Sequence, residues 1–242
     1  MYKGDRVGIW SPNKPEWVLA QFATARIGAI LVNINPAYRR AELKYALVKV
    51  GVKVLITAGS FKTSNYLEML NDLIPELATC RPERLSSPEF PLLRSIIQIG
   101  VASHSGMFCF QEIIEKGTTA YLARVDGISR KLFPDESINL QFTSGTTGAP
   151  KAATLTHKNI VNNARFVAES MQLTQKDKLC IPVPLYHCFG MVLGNLACVA
   201  EGTTMVFPGE GFDPVDTLEA LNEERCTGVH GVPTMFSAML NC

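Results

Sequence analysis

Ten residues near the middle of the chain, 142–151, have the composition of a phosphate-binding segment. They read FTSGTTGAPK, with two glycines, four hydroxyl side chains and one lysine. Glycines let the backbone approach an anion closely, so that successive N–H groups can converge on it. Hydroxyls add neutral donors, and the lysine adds a mobile positive charge. Because each hydrogen bond to a charged oxygen contributes about 1.5–3 kcal/mol, a few together suffice to hold the phosphates of a nucleotide.

This segment has two alternative interpretations, a P-loop and a surface turn. A P-loop requires the pattern G-x-x-x-x-G-K-[ST]. Here Gly145 and Gly148 are only three positions apart, and Lys151 follows a proline. Ala152 stands where a P-loop has its magnesium-binding Ser or Thr. The spacing excludes a P-loop, whereas composition alone leaves open a surface turn that binds no ligand.

Alternating strand and helix patterns surround this segment and predict an α/β fold. Apolar or alternating runs predict strands at residues 7–10, 30–32, 52–57, 95–99, 138–142, 152–155, 179–183 and 203–207. Helical periodicity predicts helices at 15–26, 41–50, 66–73 and 214–224, a helix after an N-cap at Thr156, and a buried helix over 188–200. Such alternation is typical of mainly parallel sheets flanked by helices. We predict two α/β subdomains, 1–136 and 137–242.

Composition excludes several classes of protein. The 23 basic and 22 acidic residues nearly balance, so there is no electrostatic reason to expect a nucleic acid partner. Seven cysteines, without a C-x-x-C pair, predict neither a disulfide framework nor a zinc site, and most are expected in the core. No apolar run reaches the ~20 residues of a transmembrane helix, and the N-terminus has no targeting character.

The segment 142–151 closely resembles the phosphate-binding signature of the adenylate-forming, or AMP-binding, superfamily. This superfamily includes acyl-CoA synthetases, luciferases and peptide-synthetase adenylation domains. The ten-residue match is specific, and it departs from the family only just after its end, where Ala152 replaces the usual glycine.

Three further segments resemble the same family and occur in family order. They are GAILVNINPAY at 28–38, PLYHCFG at 184–190 and GVPTMF at 231–236. Within the superfamily, the second of these and NIVNN at 159–163 resemble the medium-chain fatty-acyl-CoA ligases of acyl-CoA synthetase family member 2 type. The four matches span almost the whole chain.

The resemblance implies a reaction and assigns roles to residues. A carboxylate attacks the α-phosphate of ATP, used with Mg2+, and pyrophosphate leaves; coenzyme A then displaces AMP to form a thioester. A fatty acid of medium chain length is the implied substrate. The resemblance assigns the ATP phosphates to a run of nine residues: Thr143, Ser144, Gly145, Thr146, Thr147, Gly148, Ala149, Pro150 and Lys151.

The resemblance also implies an acyl pocket around His187. Composition alone is more typical of a packed or turn histidine, since His187 lies between Tyr186 and Cys188. The family's matching histidine borders the acyl pocket at its carboxylate end, with Phe189 and Gly190 beside it. The implied role is orientation or gating, because a carboxylate needs no deprotonation at neutral pH.

Other family motifs do not occur in this sequence. Neither a Y-G-x-T-E nor a T-G-D sequence is present, and the last lysine is Lys178. We therefore expect an incomplete N-terminal adenylate-forming domain, truncated at both ends, with no complete catalytic set, no metal ligand and no mobile C-terminal domain. Such a chain is expected to be inactive alone. Mitochondrial residence is implied by resemblance only; the alternative is the cytoplasm.

Two alternative functions stay open at this point. One is a non-catalytic binding or interaction module produced by truncation. The other is activation of an aryl acid or an amino acid instead of a fatty acid.

Overall fold

The computed structural model describes residues 1–100, 104–143 and 150–242. These residues form two compact units. The first comprises Met1–Ser11 and Leu19–Leu155, and the second comprises Pro12–Val18 and Thr156–Cys242. Each unit has its own sheet.

The first unit is built on a sheet that has seven strands among the described residues, in the order β7-β6-β3-β1-β2-β8-β9. The strands are β1 (Arg6–Trp10), β2 (Ile30–Ile34), β3 (Val52–Thr57), β6 (Ser95–Gln98), β7 (Phe108–Cys109), β8 (Ser137–Thr143) and β9 (Lys151–Thr156). The pairs from β7 through to β8 are parallel. A short antiparallel hairpin, β4 (Ser60–Phe61) with β5 (Ser64–Asn65), lies outside this sheet.

Helices lie between β1 and β2, β2 and β3, β3 and β6, and β7 and β8, as crossover connections of parallel strands commonly do. They are α1 (Pro15–Arg26), α2 (Arg40–Val50), α3 (Tyr66–Leu73), α4 (Phe110–Glu115) and α5 (Thr119–Ser129), with short 3-10 turns at Pro75–Ala78 and Pro82–Arg84. The core of this unit centres on Trp10 and Tyr66, which are fully buried with their rings stacked 3.7 Å apart. Leu43 and Leu47 bring α2 into the same core.

The second unit has a smaller parallel sheet in the order β11-β10-β12. Its strands are β10 (Lys178–Cys180), β11 (Thr204–Val206) and β12 (Gly228–Val229). Its helices are α6 (His157–Ser170), a π-helix (Phe189–Leu196), α7 (Ala197–Glu201), α8 (Pro214–Glu223) and α9 (Pro233–Leu240). The predicted N-cap is confirmed: Thr156 accepts a hydrogen bond from the Asn159 N–H at 3.2 Å.

The architecture confirms the predicted α/β class with mainly parallel sheets. The predicted strand at 52–57 and the predicted helix at 66–73 match β3 and α3 residue for residue. The predicted helix over 188–200 is a π-helix that continues into α7. The predicted boundary at 136/137 falls inside the first unit, because β8 pairs with β2 in the first sheet.

Two further observations concern composition. All seven cysteines are free thiols, but only Cys109, Cys180 and Cys198 are fully buried, so core packing accounts for fewer than predicted. Within the described ranges, no helix is both long and apolar enough to cross a membrane.

Candidate functional site

The two ends of the glycine-rich segment lie side by side in the first sheet. Strand β8 ends at Thr143, and its neighbour β9 begins at Lys151. Both side chains are exposed, and the Thr143 hydroxyl donates to the Lys151 carbonyl at 3.4 Å. The remaining predicted phosphate-binding residues, except Pro150, occupy 144–149, outside the described residues.

Tyr45 on α2 makes a second hydrogen bond at this position. Its hydroxyl donates to the Pro150 carbonyl at 3.1 Å. The side chain is half-buried, and it lies between Leu43 and Ala46, which pack in the core. The contact joins residues that are 105 positions apart. Tyr45 was not predicted from the sequence as a site residue, because no local pattern links α2 to the start of β9.

A ladder of three buried side-chain amides precedes Thr143. It comprises Asn33 on β2 with Asn139 and Gln141 on β8. The Asn139 amide donates to the Leu31 carbonyl at 3.0 Å and to Asn33 Oδ1 at 2.9 Å, and Asn33 donates to Gln141 Oε1 at 3.2 Å. The ladder fixes the register of β8 against β2, since a shift by one residue would turn these amides to the other face of the sheet.

In the second unit, His187 lies in a turn just before the π-helix. Its N–H donates to the Pro184 carbonyl at 3.2 Å, and its own carbonyl accepts from Met191 at 3.0 Å. The ring nitrogen Nδ1 accepts the Phe189 N–H at 3.1 Å, so in this arrangement the proton of the neutral ring is on Nε2. The side chain is exposed.

Gly190 is buried at a point where only glycine fits. A Cβ there would lie 2.6 Å from the Pro184 carbonyl oxygen and 3.0 Å from the Leu185 Cα. These neighbours are backbone atoms, which cannot turn aside as a side chain can. The π-helix therefore begins in close contact with the strand-to-turn segment that precedes it.

His230 packs against the predicted acyl-pocket residue Phe189. Their ring centroids are 5.0 Å apart, and His230 Nε2 is 2.9 Å from the Leu193 carbonyl of the π-helix. Burial lowers the pKa of His230 and outweighs this hydrogen bond, which favours the charged form. His230 is therefore held neutral next to Phe189.

Asn13 holds Val183 and Leu185, which precede His187 in the chain. Its buried side chain donates to the Val183 carbonyl at 3.0 Å and accepts from the Leu185 N–H at 2.8 Å. Neither the hydrogen bonds of Asn13 nor the packing of His230 on Phe189 was predicted from the sequence. The predicted trio His187, Phe189 and Gly190 does lie together, as consecutive positions in the chain require.

Comparison with known proteins places the glycine-rich segment and the turn around His187 in one family. The family model described as AMP-binding enzyme matches residues 1–242. The chain belongs to the AMP-binding enzyme family.

Two relatives have the same name, medium-chain acyl-CoA ligase ACSF2, mitochondrial. The one from Danio rerio is 43% identical over 240 residues, which cover 98% of this chain and 39% of that protein. The one from Homo sapiens is 42% identical over 244 residues, which cover 99% of this chain and 40% of that protein. The chain therefore spans about two fifths of the length of these relatives.

The fold is that of solved members of the family. The crystal structure of the anthranilate CoA ligase AuaEII in complex with anthranoyl-AMP superimposes with a TM-score of 0.83 at 22% identity. The match covers all of this chain and 42% of that structure. At this identity the likeness concerns the fold.

The described part of this AMP-binding chain offers no metal centre. In residues 1–100, 104–143 and 150–242, no three His, Cys, Asp or Glu side chains form a group that could hold a metal ion. These residues do not fit a resident magnesium site, and we assign no chemical step to a metal held by them.

The cysteine beside His187 is not suited to nucleophilic chemistry. Burial raises the pKa of the Cys188 thiol, and burial raises the pKa of Cys198 in α7 to about 12. Since the thiolate is the reactive form, both side chains stay protonated and unreactive at neutral pH.

Proposed function

We propose that this chain contributes the ATP-phosphate-binding segment and part of the acyl pocket of an ATP-dependent fatty-acid–CoA ligase. The observation that carries the proposal is the match of the AMP-binding enzyme family to residues 1–242. The geometry supports it, because Thr143 and Lys151 lie at adjacent strand ends on either side of a glycine-rich segment.

In the proposed reaction, a carboxylate oxygen attacks the α-phosphorus of ATP, supplied with Mg2+ as co-substrate. The bond from that phosphorus to the bridging oxygen breaks, and pyrophosphate leaves. The protein's task in such a step is to position charged groups and stabilise the developing charge. We assign this task to Thr143–Lys151, with the Lys151 ammonium on the departing phosphates.

The second half-reaction transfers the acyl group. The sulfur of coenzyme A attacks the acyl carbon of the adenylate, the thiol proton is lost, and AMP leaves with the electrons of the broken bond. We assign the carboxylate end of the acyl pocket to His187, Phe189 and Gly190. The packing of Phe189 on the neutral, buried His230 supports an uncharged wall at this place.

We propose a medium-chain fatty acid as the substrate and the mitochondrion as the compartment. Both proposals rest on the two ACSF2 relatives, whose names state a medium-chain ligase and a mitochondrial protein. Fractionation of cells that express the natural protein, followed by detection with an antibody to residues 1–242, tests the compartment. Recovery in the cytosolic fraction would contradict the mitochondrial assignment.

Because the chain spans about two fifths of its relatives, a chimaera tests the reaction. Residues 1–242 would replace the matching region of the Danio rerio ligase, and octanoate-dependent ATP–pyrophosphate exchange would be measured. We expect exchange in the chimaera, and a loss of about 100-fold in Lys151→Ala, since removing one charge-stabilising donor has effects of this size. Lys176→Ala, which removes an exposed turn lysine, is the matched control.

Different outcomes separate the alternatives. Suppose that a folded chimaera catalyses exchange with aryl or amino acids but not with octanoate. The substrate would then be an aryl or amino acid instead of a fatty acid. Exchange by the parent enzyme but by no folded chimaera, with any acid, would favour a binding module without catalysis. Equal activity of Lys151→Ala and Lys176→Ala would contradict the role of Lys151.

A further inference from the structure

Lys151 is held by the protein on both sides of its Cα atom. The peptide group before it contains the Pro150 carbonyl, which accepts from the Tyr45 hydroxyl at 3.1 Å. The peptide group after it contains the Lys151 carbonyl, which accepts from the Thr143 hydroxyl at 3.4 Å. Each peptide group is planar, so fixing its carbonyl also fixes its orientation. Together the two hydroxyls restrict both backbone dihedral angles of Lys151.

The hydrogen bond from Tyr45 is the shorter of the two and comes from a well-anchored element. Helix α2 buries Leu43, Ala46 and Leu47. It ends at Gly51, which has φ +62° and donates its N–H to the carbonyls of the last turn. A phenol on such a helix has few conformations to lose when it forms a hydrogen bond. Tyr45 is therefore a rigid donor to the start of β9.

Lys151 itself has a long side chain whose position depends on its backbone. The side chain is exposed, and an exposed lysine has large rotamer freedom, which weakens any ion pair that it forms. A fixed Cα reduces the volume that the ammonium explores, because binding then restricts the side chain alone. Pre-organisation of this kind raises affinity without a new contact to the ligand.

We infer that Tyr45 is a positioning residue for Lys151. Its hydroxyl sets the backbone from which the Lys151 ammonium reaches a phosphate. The inference rests on the proposed function for the phosphate partner, whereas the contact to Pro150 is independent of any ligand.

Pyrophosphate binding to the 242-residue chain, measured by calorimetry, tests the inference. Tyr45→Phe removes only the hydroxyl, and we expect binding about fivefold weaker, which corresponds to one neutral hydrogen bond. Lys151→Ala should weaken binding about tenfold or more. In the Lys151→Ala background, Tyr45→Phe should have no further effect, because the hydroxyl acts through the lysine.

The matched control is Tyr66→Phe. Its hydroxyl also donates to a prolyl carbonyl, that of Pro36, at 2.5 Å and in a buried position of the same unit. This variant removes the same kind of bond away from β9, and its pyrophosphate affinity should equal that of the wild type. Equal losses in Tyr45→Phe and Tyr66→Phe would mean a general effect on stability and would overturn the inference.

Hydrogen exchange tests the hydrogen bond from Tyr45 to the Pro150 carbonyl without any ligand. We expect Tyr45→Phe to accelerate exchange of the Lys151 amide several-fold relative to the amides of β1. Unchanged exchange, or equal effects of Tyr45→Phe with and without Lys151, would overturn the positioning role. If the wild type does not bind pyrophosphate, or Lys151→Ala binds as well, the phosphate assignment of the proposed function is wrong; accelerated exchange would then leave only a structural contact.

Discussion

The residues before Thr143 and the residues around Gly190 are held by different kinds of interaction. In the first unit, Asn33, Asn139 and Gln141 hold β8 by directional hydrogen bonds between side chains. In the second unit, Gly190 holds the start of the π-helix by the close approach of two backbones. The first arrangement depends on which atoms donate and accept, and the second depends on volume. A substitution that keeps the shape but changes donors and acceptors should therefore destabilise the first region. A substitution that keeps the polarity but adds volume should destabilise the second.

The two tryptophans of the chain make this comparison measurable. Trp10 lies in the first unit and Trp17 in the second. Urea unfolding of a Trp17→Phe protein follows the first unit through Trp10 fluorescence, and a Trp10→Phe protein follows the second.

Asn139→Asp should have the largest effect. Aspartate has the shape of asparagine, but it places an oxygen opposite two acceptors, the Leu31 carbonyl and Asn33 Oδ1. Burying a carboxylate against acceptors should lower the free energy of unfolding of the first unit by about 3 kcal/mol or more. Unfolding followed by Trp10 fluorescence measures it.

The control for this substitution is Asn65→Asp. Asn65 is the exposed N-cap of α3, where its side chain accepts from the Glu68 N–H at 3.1 Å. An aspartate accepts equally well there, so the free energy of unfolding should change little. A cost for Asn139→Asp no larger than for Asn65→Asp would show that hydrogen-bond direction is unimportant in the ladder.

Gly190→Ala should have the next largest effect. The added methyl meets the Pro184 carbonyl oxygen at 2.6 Å, so the backbone must shift, at a cost of about 2 kcal/mol. Gly194→Ala is the matched substitution in the same π-helix, where the three atoms nearest the methyl belong to the Ile181 side chain, at 3.1–3.5 Å. Trp17 fluorescence should report a clear loss for the first variant and a smaller loss for the second, because a side chain can shift more easily than backbone. Equal losses would contradict the volume argument.

The smallest effect should be a dependence on pH from His230. Its pKa is lowered in the folded chain, chiefly by burial. The unfolded state therefore binds more protons below the ordinary histidine pKa of about 6.5. The contribution of neutral His230 to the free energy of unfolding is fully present above that pH. It is lost as the pH falls towards the lower pKa of the folded state.

Comparison of the wild type with His230→Gln between pH 7.5 and 5.5 measures this contribution. Glutamine can still donate to the Leu193 carbonyl, but it does not titrate. The second unit of the variant should lose less stability over this interval than the wild type. Parallel curves would show that His230 gains its proton as easily in the folded chain as in the unfolded chain.

Local patterns predicted the elements well, because the information is in neighbouring residues. The start of the predicted strand at 52–57 is well defined, because Gly51 ends the preceding helix in the left-handed conformation. Thr156 was identified as an N-cap from its position before an apolar helical face. The short helices α4 and α5 were missed; their residues are mostly exposed, so they lack the apolar stripe on which the prediction depends.

The site was predictable only as far as its residues are consecutive. The ends of the glycine-rich segment, and the neighbours of His187, follow directly from the sequence. Tyr45, Asn13 and His230 act on residues 105, 170 and 37 positions away, respectively. Nothing in a local pattern indicates such pairs, because they arise from the order of strands in the sheet. The predicted boundary at 136/137 and the division into compact units differ, because strand pairing across the first sheet is not visible in a local pattern.

The hydrogen bonds of Asn13 to Val183 and Leu185 have a consequence for the order of folding. Residues 12–18 leave the ribosome early, but the unit to which they belong is completed only when residues 170 and more positions later have been made. Contacts of such sequence separation slow folding, since a long loop must close before they form. During synthesis, the first unit can form its parallel sheet before Val183 and Leu185, the partners of Asn13, have been made. The fluorescence of Trp17 should therefore reach its native value later than that of Trp10.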